Sequence, residues 1–140
     1  MRPTNIIIHH SLTKDSGTVS WGPIRKYHLG LGWRDIGYHY GIELVNSEYE
    51  ILLGRMANEE GAHTRGMNNT SLGICCVGNY DKQPPPKALL DKLRQLCLFL
   101  MVQYAIPPEN IYGHRIFATY KSCPGNLFDM DAFRKSLIQV

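Results

Sequence analysis

The stretch "NIIIHH", residues 5–10, limits the fold more than any other part of the chain. Three isoleucines in succession read as a buried strand over residues 5–9, and a buried strand must be covered by other layers. The strand then runs into two adjacent imidazoles. Alternate residues of a strand share a face, so His9 and His10 point apart, and at most one of them can join a given site.

A second apolar run, "LGICCVG" at residues 72–78, reads as another buried strand. Between the two, "YHYGIELV" alternates, with Tyr38, Tyr40, Ile42 and Leu44 expected on one face. The turn "NSE" and the returning "YEILLG" make a hairpin with it. Helical patterns lie at "GPIRKYHLGLG", where Pro23 suits a first turn and Ile24, Tyr27, His28 and Leu31 fall at helical spacing, and at Lys87–Tyr104. The second of these is apolar on most sides and is expected to be central. A very short strand is expected at Ile111–Gly113, and a last helix begins near Asp129 or Asp131 as N-cap. Strands and helices alternate irregularly around at least one hairpin. The expected class is α/β: one domain over residues 1–140, with a central mixed β-sheet flanked by about three α-helices.

Composition removes several functional classes. The 140 residues are 44% hydrophobic and 19% charged, enough for one globular core. Net charge is +3, and the basic residues are scattered, so no nucleic-acid partner is expected. The first ten residues lack a signal-peptide pattern, and the longest apolar stretch, "LCLFLMV", is too short to span a bilayer. Synthesis in the cytoplasm without membrane insertion is the expectation. The four cysteines do not form a secreted disulfide pattern. Cys75, Cys76 and Cys97 read as buried thiols. Cys123 stands apart, in the polar loop "YKSCPGN".

His114 and Cys123 flank one loop and carry nitrogen and sulfur donors suited to zinc. No CxxC occurs, which argues against a four-ligand structural site. A third ligand from the first strand would leave one coordination position open, as a hydrolytic metal requires. A competing reading makes Cys123 a nucleophile and His114 its base. It leaves the strand-end histidine unexplained, and a cysteine followed by proline is not at a helix N-terminus that would lower its pKa.

The four segments "IHHS", "GWRDIGYHY", "AHTRGMNNTSLGI" and "GHR…KSCPG" occur in an order and spacing that resemble the type 2 N-acetylmuramoyl-L-alanine amidases, the family of phage endolysins and animal peptidoglycan recognition proteins. The resemblance runs from about residue 5 to residue 123. It implies one Zn2+ per chain held by His9, His114 and Cys123. It also places Tyr38 close to the reacting water and Lys121 two residues before the ligand cysteine, both as catalytic residues. The implied partner is peptidoglycan or a soluble muropeptide, cut between N-acetylmuramic acid and L-alanine. The long loop 55–71 reads as exposed, with His63, Arg65 and Asn68 offering donors to substrate. His10, His28 and His39 are expected to brace the structure. A monomeric phage or prophage endolysin, acting on the wall once released, is the expected role. The alternatives are a cytosolic amidase recycling muropeptides and a non-catalytic peptidoglycan-binding module, the latter disfavoured by Cys123.

Overall fold

A computed structural model describes residues 1–12 and 21–138. The described chain runs β1 (Asn5–His10), α1 (Trp21–Gly30), β2 (Tyr40–Val45), β3 (Glu48–Leu53), β4 (Ser71–Cys76), α2 (Lys87–Tyr104), β5 (Ile111–Gly113) and α3 (Met130–Ile138). Single 3-10 turns precede and follow β5. The five strands form one mixed sheet in the order β3-β2-β4-β1-β5. β1 is parallel to β4 and β5, β2 is parallel to β4, and β3 closes the antiparallel hairpin with β2. Asn46 and Ser47 both have positive φ, the backbone that a tight two-residue hairpin turn demands.

The sheet has two unlike faces. One carries Ile6 and Ile8 of β1, Leu72, Ile74 and Cys76 of β4, and Ile42 of β2. These pack on Leu89, Leu93, Leu96, Cys97 and Leu100 of α2 and on Met130, Phe133 and Leu137 of α3. The register sets His9 beside Cys75 and His10 beside Cys76, so the other face receives His9, Gly73 and Cys75. α1 lies over this second face: its Trp21 packs against Gly41, and its backbone N–H donates to Glu43 Oε2 at 3.2 Å.

Three local expectations change. α2 is not central, because Phe99 and Val102 are 60% and 86% exposed; a helix on one side of a sheet buries only one stripe. Tyr38 precedes β2, since its carbonyl accepts from Arg55 N–H at 3.0 Å in a loop pairing. In α1 only Ile24 and His28 are buried, while Tyr27 and, just past the helix end, Leu31 are exposed. Asp129 does cap α3, its Oδ1 accepting from Ala132 N–H at 3.0 Å.

Candidate metal centre

β1 delivers His9 to the edge of the second face at 1% exposure. β5 ends in a 3-10 turn that starts with His114, whose ring centroid lies 4.5 Å from that of His9. Cys123 comes from the following loop, with Sγ 3.7 Å from His9 Nδ1. Ligand atoms of the three residues lie within 4.8 Å of one another, so they could hold a metal ion. His10 turns the other way, as strand alternation requires, and its Nδ1 accepts from Tyr80 N–H at 3.2 Å.

The loop bearing Cys123 is tied down at several points. Arg115 N–H donates to the Cys123 carbonyl at 2.8 Å, and His10 N–H donates to Cys123 Sγ at 3.4 Å. The Arg115 guanidinium donates to the carbonyls of Gly125 at 2.7 Å, Phe128 at 2.9 Å and Ser122 at 3.4 Å. From the loop after β4, the Asp81 carboxylate accepts from Ser122 Oγ at 2.9 Å and from Asn126 N–H at 2.7 Å. Burial opposes the ionised form of Asp81, but these donors, with His10 and Arg115 nearby, bring its carboxyl below the usual range.

Burial also sets the protonation of the centre. It holds His9 well below the ordinary histidine value, with His63, His114 and Lys121 adding repulsion. Burial and Lys121 bring His114 down to about 4. Both imidazoles are therefore neutral at neutral pH, the form that binds metals. The Cys123 thiol is pushed up to about 12 by burial, against the pull of the His10 amide, Lys121 and Arg115. Burial of this kind does not activate a thiol as a nucleophile, which counts against the Cys–His hydrolase reading.

A cleft of about 500 Å3 opens above the three residues, lined also by Trp33, Tyr38, His63, Tyr120 and Lys121. Among the described residues no carboxylate lines it. The Tyr38 ring sits 5.1 Å from that of His9. Burial first, then Cys75 and Cys123, raise the Tyr38 hydroxyl well above its ordinary value, so it stays a protonated donor. Lys121 is exposed at the rim, with Nζ 5.9 Å from the Tyr120 ring centroid.

Of the three residues expected on an exposed loop, only His63 lines the cleft. It is half-buried, and its ring nitrogens face His9, Thr64 and the Ser71 carbonyl rather than open solvent. Asn68 turns its Oδ1 onto the N–H groups of His63 and Thr64, both at 2.8 Å. Arg65 is exposed beyond the residues that line the cleft. The loop is packed because Arg55, 8% exposed, donates to the carbonyls of Ile36 at 3.0 Å and Glu60 at 2.8 Å. His28 and His39 brace the frame: His28 Nδ1 accepts from Gly37 N–H at 2.9 Å, and His39 Nδ1 accepts from Gly73 N–H at 3.1 Å.

A family model described as N-acetylmuramoyl-L-alanine amidase matches residues 1–126. The chain belongs to the N-acetylmuramoyl-L-alanine amidase family. The endolysin of Klebsiella phage KP32 is 35% identical over 132 residues, covering 91% of this chain and 82% of the phage protein. The solved structure of the N-acetylmuramoyl-L-alanine amidase LysC from Clostridium intestinale URNW superposes with a TM-score of 0.85 at 28% identity, over 98% of this chain and 86% of that one. A mutant of Drosophila PGRP-LB in complex with tracheal cytotoxin has a TM-score of 0.74 at 30% identity, over 91% of this chain and 79% of its own.

Sequence reasoning passed over Arg115, Asp81, Thr64 and the site-facing position of Cys75. Arg115 had a visible signal, being the residue after His114 in "GHR". Cys75 had one in hindsight of register alone: it pairs with His9.

Proposed function

We propose that this chain hydrolyses the amide between the lactyl group of N-acetylmuramic acid and L-alanine in peptidoglycan, using one Zn2+ held by His9, His114 and Cys123, as a phage or prophage endolysin. The observation that carries the reading is the donor set itself. Zinc bond lengths of about 2.0–2.1 Å to nitrogen and about 2.3 Å to sulfur give a tetrahedral N–S edge of about 3.6 Å. The separation of His9 Nδ1 and Cys123 Sγ is 3.7 Å. Three protein ligands of this kind leave a fourth position open beneath the cleft. A zinc ion held by His9, His114 and Cys123 would supply Lewis acidity to a carbonyl and to water near neutral pH.

The remaining chemistry belongs to the side chains around the centre. Lys121 brings a compact ammonium to the cleft rim, where negative charge on the scissile carbonyl oxygen develops during attack. Tyr38 keeps its proton and can offer it to that oxygen or to the departing amine. His63 and Trp33 line the cleft and would form walls against which the substrate is oriented. The endolysin role is supported by the similarity to the KP32 endolysin over most of both chains. Among the described residues, no helix is long and apolar enough to cross a membrane.

The test is digestion of purified peptidoglycan with and without chelator, followed by mass analysis. New α-amino groups on L-alanine, lost on chelation and restored by zinc, are the expected result. New reducing sugar ends, or cleavage unaffected by chelator, would refute the proposal.

A further inference from the structure

His9 has two ring nitrogens, and only Nδ1 faces Cys123. Its Nε2 lies 3.0 Å from His63 Nδ1 and 3.3 Å from Thr64 Oγ1. Thr64 Oγ1 in turn lies 2.9 Å from His63 Nδ1. On the far side, His63 Nε2 lies 3.1 Å from the Ser71 carbonyl oxygen. A carbonyl only accepts, so the proton of a neutral His63 ring sits on Nε2, and Nδ1 is left as an acceptor. His9 Nε2 then carries a proton, whether it donates to His63 directly or to the Thr64 hydroxyl that itself donates to His63. Either way the lone pair of His9 is left on Nδ1.

The surroundings are shaped for this ring. A Cβ at Gly73 of β4 would lie 2.6 Å from the His63 ring, and one at Gly61 would also lie 2.6 Å from it. Glycine at both positions keeps the slot free. Asn68 fixes the backbone that presents His63 and Thr64, and Thr64 is 2% exposed. A metal-ligating histidine ordinarily passes its second N–H to a carboxylate, carbonyl or water. No carboxylate is in reach of His9 among the hydrogen bonds of the described residues, and the Ser71 carbonyl is one ring away.

We infer that His63 is a positioning residue that relays the Ser71 carbonyl to His9 and locks His9 in the tautomer with Nδ1 free for the metal. This inference rests on the assignment of His9, His114 and Cys123 as the ligands. It gives His63 a part in metal affinity, separate from any contact with substrate.

Two measurements test it. Long-range 15N–1H correlation spectra of the zinc-free wild-type protein read the tautomers directly: both His9 and His63 should carry their protons on Nε2. An Nδ1-protonated His9 overturns the inference without any variant. Chelator competition then compares zinc affinity in H63L and H63N, with folding checked by circular dichroism. Asparagine keeps an oxygen acceptor near the position of Nδ1, and leucine does not. H63L should lose about 10- to 100-fold in zinc affinity, the usual cost of removing such a partner, while H63N stays within a few-fold of wild type. Equal losses in both, or no loss in H63L, overturn the inference. Cobalt substitution separates it from the ligand assignment: a wild-type spectrum without a thiolate-to-metal band refutes the assignment, whereas a normal band with His9 in the other tautomer refutes only the relay.

Discussion

Replacing Arg115 tests whether the loop that presents Cys123 is held by backbone carbonyls meeting one guanidinium. Its contacts to Gly125 and Phe128, at 2.7 and 2.9 Å, have ordinary hydrogen-bond lengths, while that to Ser122, at 3.4 Å, is long and weak. Hydrogen bonds to charged groups contribute about 1.5–3 kcal/mol each, and the half-buried position of Arg115 argues for the lower end. Counting two such bonds, Arg115→Ala should destabilise the zinc-free protein by about 3 kcal/mol. Arg115→Lys keeps the charge but not the fork, so it retains one bond and should cost about half as much. The backbone bond from Arg115 N–H to the Cys123 carbonyl survives both changes. Cys123 therefore stays in the sequence of the loop but loses its fixed position, and zinc affinity should fall along with stability.

Urea unfolding of the zinc-free variants gives the first quantity, and chelator competition gives the second. An Arg115→Ala protein within about 0.5 kcal/mol of the parent, the range of an ordinary surface change, would refute the reasoning. A protein that loses stability but binds zinc normally would show that the guanidinium secures the entry to α3, through Phe128, and not the ligand loop.

Other outcomes follow from the same geometry. His9→Ala and Cys123→Ala should each abolish bound zinc and hydrolysis, whereas His10→Ala should lower stability and keep the metal, as elemental analysis of the purified variants would show. Lys121→Ala should retain zinc and slow single-turnover hydrolysis of a muropeptide by about 100- to 1000-fold, the usual cost of one oxyanion donor; unchanged turnover would make it an ordinary rim lysine. The zinc-free protein should lose stability as pH falls from 6.5 towards 4. His63, held at about 3 chiefly by burial, and His114, at about 4, bind protons in the unfolded chain over this window but not in the folded one. Each then contributes a slope approaching about 1.4 kcal/mol per pH unit, with stability rising with pH. Thermal melts that do not change between pH 7 and 4.5 would contradict it.

The elements that could be read from sequence are those whose pattern is local. Three isoleucines mark β1, helical spacing marks Lys87–Tyr104, and the asparagine–serine turn marks the β2–β3 hairpin. The three residues of the metal-capable cluster were found from donor type and family motifs together. What escaped depends on partners far along the chain. The loop after β3 reads as polar and exposed because nothing nearby in sequence reveals that Arg55 donates to Ile36, or that His63 meets a histidine 54 positions away. The exposure of Phe99 and Val102 likewise follows from α2 having a sheet on one side only, which its own composition does not disclose.

The difference between the two faces of the sheet explains why a core strand can also floor a site. In β4 the sequence Leu72-Gly73-Ile74-Cys75-Cys76 alternates bulk with near-absence of bulk, ending in a cysteine on each face. Leu72 and Ile74 fill the space under α2, where interior packing demands volume. Gly73 and Cys75 leave the other face shallow, so that the rings of His63 and Tyr38 lie close against the sheet. β2 repeats the device, with Ile42 in the core and Gly41 under the Trp21 ring. A ring seated directly on backbone leaves no room for a side chain beneath it. A methyl group at Gly73 is therefore a sharper probe than a change in the ring itself. Gly73→Ala adds no charge and removes no hydrogen-bonding group, yet its Cβ would fall 2.6 Å from His63. If the shallow face is what holds the centre in place, Gly73→Ala should weaken zinc binding while every ligand remains present. Zinc affinity equal to that of the parent would mean that the ring moves aside freely and that the small residues of this face have no part in the site.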